Sequence, residues 1–150
     1  DQHSGIIVID RYLSRVEVDS LISACDCFVS LHRAEGFGFP LAEAMGHGKP
    51  VVATGWSGNM DFMNHGNSLP VKYTITALDH ETGPYRRGAR WAEPDLDHAA
   101  ELMRLVAKDR EYATSLGAQA QQDMRTHFSA ARVGGLIRDR LNRIVATQAE

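Results

Sequence analysis

The apolar positions fall into short runs of strand length separated by stretches with helical spacing. Ile6 to Ile9 predicts a short buried strand, Val16 to Ala24 a short helix, and Cys27 to Leu31 a second strand. Leu41, Ala44 and Met45 fall on one face of a following helix that Gly46 and Gly48 end, and Glu43 points away from that face. Pro50 to Thr54 predicts a third strand and Ser68 to Leu78 a fourth. Residues 79–94 carry two prolines, two glycines and three arginines and read as a long loop. From Asp95 onward the period is helical. Leu96, Ala99, Ala100, Met103 and Val106 make one face, and Tyr112, Leu116, Ala120 and Met124 another. A last helix starts at Ser129 as N-cap, with Val133, Leu136, Ile137, Leu141 and Ile144 on its apolar side. Strands alternating with helices predict an α/β fold: a parallel sheet with flanking helices and right-handed crossovers, whose ligands bind beyond the carboxyl ends of the strands.

Composition narrows the function classes. The 150 residues are 43% hydrophobic and 23% charged, with a formal net charge of -3, which describes one soluble globular unit. Mild acidity excludes a nucleic acid held by bulk charge, although 13 of the 16 basic residues are arginines able to serve local anion sites. The apolar runs are too short to span a bilayer and no signal peptide opens the chain, so a cytoplasmic location is expected. Cys25 and Cys27 flank one aspartate, which suits reduced packing residues better than a mutual disulfide or a zinc site. The histidines lack paired metal spacing, and no metal is expected.

The chemistry concentrates between His32 and Lys49. Glu35 and Glu43 flank a turn, Gly36-Phe37-Gly38, that leads from a strand into a helix with Pro40 near its first position. Free N–H groups meet at such a helix start and attract an anion, naturally a phosphate. Two carboxylates would repel a bare phosphate, yet they accept hydrogen bonds from hydroxyls. The pattern therefore fits a ligand with phosphate in its middle and sugars at both ends, the shape of a nucleotide sugar.

Each residue also has a plainer reading. Glu35 alone could be a solvated loop carboxylate, and Glu43 alone a helix first-turn acid favoured by the macrodipole. His32 either touches the ligand or packs beneath the turn, and Arg33 reads first as a solvated arginine. Asp95-Leu-Asp97 has an Asp-x-Asp spacing suited to a metal, but it follows Pro94 at a helix start, where capping explains it. Gly55-Trp-Ser-Gly58 nearly forms a nucleophile elbow, making a serine hydrolase using Ser57 a remote alternative; Asn59 occupies the position of the second glycine.

Glu35-Gly-Phe-Gly-Phe-Pro-Leu-Ala-Glu43, followed by Ala44-Met-Gly-His-Gly-Lys-Pro-Val-Val-Ala-Thr54, resembles the donor-site signature of family 4 glycosyltransferases with the GT-B fold. Tyr12-Leu-Ser, Leu21 to Asp26 and Phe28 to Leu31 resemble the segment leading into it, and Ser57-Gly-Asn-Met-Asp61 the glycine-containing loop after the next strand. The likeness is close over roughly residues 6 to 70, weakens beyond, and returns at Trp91 to Asp95 and in the final helices. It implies transfer of a hexosyl group from a nucleoside diphosphate sugar, with retention of configuration, to a sugar or lipid-linked acceptor, as in polysaccharide biosynthesis. By resemblance Glu35 is the catalytic residue, positioned at the transferred sugar; Glu43 holds the nucleoside ribose; and main-chain N–H groups from Gly36, Phe37, Gly38, Phe39 and Leu41 serve sugar and diphosphate. His32, where many relatives have serine, and Gly58 complete the substrate-binding set, while Asp61 replaces a common glutamate. No cofactor or metal is implied beyond the donor substrate. The likeness begins in mid-domain, so residues 1–150 are expected to be a partial Rossmann-like unit, the C-terminal half of a GT-B donor domain. Neither the family's upstream diphosphate-binding arginine and lysine nor its acceptor domain is recognisable. The isolated chain is therefore expected to be a nucleotide-sugar-binding fragment that transfers nothing, and any peripheral contact with the inner face of a membrane would run through the absent domain.

Overall fold

The computed structural model describes residues 5–148. At its centre lie three parallel strands in the order β1 (Phe28–Ser30), β2 (Val51–Thr54) and β3 (Leu69–Val71), with Phe28 opposite Val51 and Val52 opposite Leu69. Successive side chains of a strand point to opposite faces, and here both faces of β2 are covered. Val51 and Ala53 enter one apolar cluster with Ile22, Leu41, Met45 and Phe62, while Val52 enters another with Val71, Ala99, Val106 and Leu116. That alternation explains why β2 reads as a continuous apolar run. It also sorts the helices: α1 (Arg15–Ala24) and α2 (Phe39–Gly46) supply the first cluster and α3 (Leu96–Lys108) the second. The fourth helix, α4 (Arg110–His127), serves both through Leu116 and Ala120. A close approach makes this possible. A Cβ on Gly117 would lie 2.1 Å from the carbonyl oxygen of Gly48, so only glycine lets α4 settle against the turn before β2.

Capping sets several boundaries as the sequence implies. Ser14 and Glu17 form a reciprocal capping box at the start of α1. Arg11 and the Ser14 main chain and hydroxyl hold the Glu17 carboxyl down at about 2. The Asp95 carboxylate accepts the His98 N–H at 3.0 Å and so caps α3, as its position predicts. Ser129 accepts the Arg132 N–H at 3.3 Å ahead of α5 (Ala130–Gln148). Both cysteines are free, and burial pushes the Cys27 thiol up to about 11. Among the described residues no helix is long and apolar enough to cross a membrane.

Three expectations need correction. Ile6 to Ile9 is not a strand, and Ile7 and Val8 stand 88% and 82% exposed. An apolar run becomes a strand only beside a partner that takes its N–H and C=O groups, and no described strand lies next to it. The expected fourth strand is two, β3 and then β4 (Tyr73–Ala77), which pairs antiparallel with β5 (Arg90–Pro94) in what read as loop. Lys72 causes the break, because its N–H donates to His98 Nδ1 and its carbonyl accepts the Asp95 N–H, turning the main chain toward α3. Finally, the α3 face is rotated from the expected one: Ala99 and Val106 are buried but Leu96 and Met103 are exposed. The whole apolar side of α5, Val133 through Ile144, is also exposed.

Candidate functional site

The strands β1 and β2 run parallel, so the segments leaving them meet at one edge of the sheet. The segment after β1 carries His32 to Gly38 into α2, and the segment after β2 carries Gly55 to Ser57 into a 3-10 turn, Gly58–Asp61. Gly38 takes φ 91°, where a Cβ would also lie 2.8 Å from Leu41 Cδ1, and it thereby begins α2 without a side-chain cap. Helix α2 starts at Phe39, which puts Pro40 at the second helical position rather than the first. The first N–H engaged by the helix is that of Ala42, bonded to the Gly38 carbonyl at 2.9 Å. Those of Gly36, Phe37, Gly38, Phe39 and Leu41 have no partner among the described residues. The far end of α2 is satisfied, since the His47 N–H reaches the Glu43 carbonyl and Gln121 Nε2 the Gly46 carbonyl, each at 2.9 Å. An eight-residue helix with a closed negative end and an open positive end has the geometry to receive an anion.

The two loops are braced against each other. The Gly58 N–H donates to the Glu35 carbonyl at 3.2 Å, and the Ser57 hydroxyl donates to the same oxygen at 2.5 Å. A Cβ on Gly58 would lie 1.9 Å from the Gly36 carbonyl oxygen. His32 joins from beneath. Its Nε2 lies 3.1 Å from both the Trp56 carbonyl and Asn59 Oδ1, two acceptors that place the proton on Nε2, while Nδ1 meets the Ser30 hydroxyl at 3.2 Å. Asn59 is fully buried and donates to the Thr54 carbonyl at 3.0 Å. Both ring nitrogens of His32 are thus engaged within the protein.

The two glutamates differ in surroundings. The half-buried Glu35 has its main chain tied down as above, and its carboxylate has no partner among the described residues. Glu43 Oε1 pairs with Arg15 Nη1 at 2.7 Å, and Arg15 is in turn gripped by Asp19, Nη2 to Oδ1 at 2.9 Å. These two carboxylates raise the guanidinium pKa, Glu43 foremost. Arg15 therefore offsets one of the charges that would oppose a phosphate here. Arg33 is not a free cation: it binds Glu93 through Nε and Nη2 at 2.5 and 2.6 Å and lies 5.2 Å over Trp91. Its hydrogen bonds hold the Glu93 carboxyl below the usual range. The Arg33 carbonyl accepts the Ala92 N–H at 2.9 Å, which fastens the β4–β5 hairpin to the turn.

The structure thus gathers His32, Glu35, Gly36, Phe37, Gly38, Phe39, Leu41, Glu43 and Gly58 at one edge. Their side chains are not equivalent. Leu41 is 1% exposed, and Phe37 packs against Phe39 and Phe62 at 5.0 and 5.2 Å between ring centres, so what these two residues offer at this edge is their main-chain N–H groups. Three supporting side-chain roles escaped the sequence reading: Arg15 behind Glu43, the Asn59 amide behind His32 where only a main-chain approach to the donor was expected, and Ser57 as a brace. Arg15 and Glu43 lie 28 residues apart and no spacing rule connects them. The Ser57 hydroxyl bonds to the Glu35 main chain and to no histidine among the described residues, an arrangement unlike that of a hydrolase nucleophile.

Comparison with known proteins agrees with this geometry. Residues 7–123 match the family described as Glycosyl transferases group 1. A trehalose synthase of Pyrococcus horikoshii is 30% identical over 112 residues, covering 75% of this chain and 22% of that protein. Anabaena HepE in complex with UDP and glucose superposes with a TM-score of 0.65 at 23% identity, over 86% of this chain and 30% of HepE. The HepE complex with UDP-glucose gives 0.64 with the same identity and coverage. The likeness establishes the α/β fold of a GT-B glycosyltransferase. The chain spans less than a third of the length of each of these relatives. With the family matched across most of its length, the chain belongs to the group 1 glycosyl transferases.

Proposed function

We propose that residues 1–150 form the donor-binding part of a transferase that moves a hexosyl group from a nucleoside diphosphate sugar to a sugar or lipid-linked acceptor, with retention of configuration. The observation that carries this reading is the open start of α2: unpaired N–H groups of Gly36 to Phe39 and of Leu41, with Glu35 before them and Glu43 at the fifth of the helix's eight residues. The HepE complexes with UDP and with UDP-glucose support a donor of that class. In this reading the diphosphate sits on the Phe39 and Leu41 N–H groups, because Pro40 has none and that of Ala42 is already bonded. Donors fixed at a helix start stabilise negative charge as it grows on the departing diphosphate without reorganising at that moment. The Glu43 carboxylate, held by Arg15 through one oxygen, accepts from the ribose hydroxyls. Glu35 approaches the transferred sugar, positioning its hydroxyls and stabilising positive charge near the reacting carbon. His32 supports the turn from below, and Gly58 allows the second loop to approach. No metal has a part in this scheme. Transfer itself requires the acceptor-facing half of the whole protein, so the 150-residue chain alone turns nothing over.

The test is a thermal-shift panel of nucleoside diphosphate sugars, nucleoside diphosphates and free sugars against the full-length protein. Stabilisation by at least one diphosphate sugar and by its nucleoside diphosphate, and none by free sugars, is expected. Indifference to every member of the panel would overturn the reading.

A further inference from the structure

Ser57 is the one non-glycine residue at positive φ among the described residues, at φ 83° and ψ −155°. That region belongs almost entirely to glycine, because a Cβ is crowded by the neighbouring peptide. Glycines stand two positions before and one position after it, so the turn is already rich in the residue that would relieve the strain. A serine that keeps a costly conformation should be supplying something its hydroxyl alone provides. Its contacts say what. The hydroxyl donates to the Glu35 carbonyl at 2.5 Å and accepts from the Glu35 N–H at 3.4 Å, so it holds the two successive peptide groups that flank the Glu35 Cα. The neighbouring Gly58 N–H adds a second bond to the same carbonyl at 3.2 Å. The Glu35 carboxylate, meanwhile, has no partner among the described residues. The main chain of this residue is fixed and its functional group is left available.

We propose that Ser57 is a positioning residue whose strained main chain aims its hydroxyl at the Glu35 peptide and so sets the direction of the Glu35 carboxylate. The proposal deepens the donor-site reading and rests on Glu35 facing the transferred sugar. Glycine at position 57 removes the strain and the hydroxyl together, whereas alanine removes only the hydroxyl. The two variants should therefore part in stability while agreeing in function.

The experiment uses the full-length protein with Ser57→Gly, Ser57→Ala and Glu35→Gln. Amide hydrogen exchange in the ligand-free protein is expected to quicken about tenfold or more at the Glu35 and Gly58 amides, the two bonded in this brace, in both Ser57 variants. The melting temperature should hold or rise in Ser57→Gly and fall in Ser57→Ala. With UDP-glucose as probe, release of UDP should slow roughly tenfold or more in both Ser57 variants, while calorimetric affinity for UDP stays within about twofold. Unchanged exchange at the Glu35 and Gly58 amides in Ser57→Gly overturns the proposal whatever the turnover, and decides alone if the parent does not act on UDP-glucose. Glu35→Gln separates the two levels. If it slows turnover while Ser57→Gly does not, the positioning role fails and the donor-site reading survives; if Glu35→Gln leaves turnover intact, the reading of Glu35 falls and this proposal with it.

Discussion

Adding one methyl group at Gly58 is the sharpest test of the two-loop geometry. The new Cβ would start 1.9 Å from the Gly36 carbonyl oxygen and 2.6 Å from its carbon, and both obstacles are main chain, so no rotamer change can relieve the clash. Even a very tight contact of 3.0 Å requires the loops to part by just over 1 Å. Overpacking of this kind costs about 1 to 3 kcal/mol of stability. For a unit of this size that is a fall in melting temperature of roughly 2 to 4 °C per kcal/mol. The functional loss should be larger, because a misplacement of about 1 Å in a reacting group can cost on the order of a hundredfold in rate. Gly117→Ala is the matched control. Its Cβ would meet the Gly48 carbonyl oxygen at 2.1 Å, an equally rigid obstacle, where α4 meets the turn before β2 rather than where the two loops meet. Melting temperature, UDP affinity by calorimetry and turnover would be measured on both variants of the full-length protein. The expected result is a similar thermal loss in each, with affinity and turnover failing in Gly58→Ala only. Parent-like turnover in Gly58→Ala, or equal functional loss in a folded Gly117→Ala, would refute the idea that contact between these loops builds the site.

Further outcomes follow from the charges around α2. Glu43→Ala should weaken nucleoside diphosphate binding by about 1 to 3 kcal/mol, the loss of a charged acceptor for hydroxyls, and unchanged calorimetric affinity would count against the ribose assignment. Arg15→Gln should weaken the same binding less than Glu43→Ala and add nothing in the double variant, because Arg15 acts through Glu43; additive losses would show that it touches the ligand directly. Glu17, held at about 2 against an ordinary 4.5, stabilises α1 above the ordinary value and loses that contribution as the pH falls toward 2. A carboxyl titration by NMR should therefore place its midpoint near 2, and a midpoint above 4 would show that the capping box does not persist in solution.

Local pattern revealed what local physics determines. Helix α2 was legible because Gly38, Pro40 and the stripe Leu41, Ala44, Met45 all agree, and β2 because both of its faces are buried. The glutamate pair stood out because its glycines, its spacing and the following strand belong to one short segment. What stayed hidden depends on partners distant in sequence. Ile6 to Ile9 has the composition of a strand and no neighbour to make it one. The break at Lys72 is caused by His98 and Asp95 some two dozen positions later, and β5 was masked by the glycines and arginines of its own hairpin. His32 was ambiguous between ligand contact and support, and only the arrival of Trp56 and Asn59 shows where its ring nitrogens are spent.

The docking of the hairpin onto Arg33 bears on when the site can exist during folding. The Glu35 turn is fastened on one side by Ser57, 22 residues away, and on the other by Glu93, 60 residues away. Each of these closures must overcome the entropy of ordering the intervening chain before its hydrogen bonds repay it, so neither suits an early nucleus. The β1–α2–β2 segment can collapse with its glutamates already in place along the chain and still lack their final geometry. A nascent chain released before β5 would hold every signature residue of the donor site without the second clamp. Competence to bind should therefore trail the appearance of helical structure in refolding kinetics, arriving with the hairpin and not with α2.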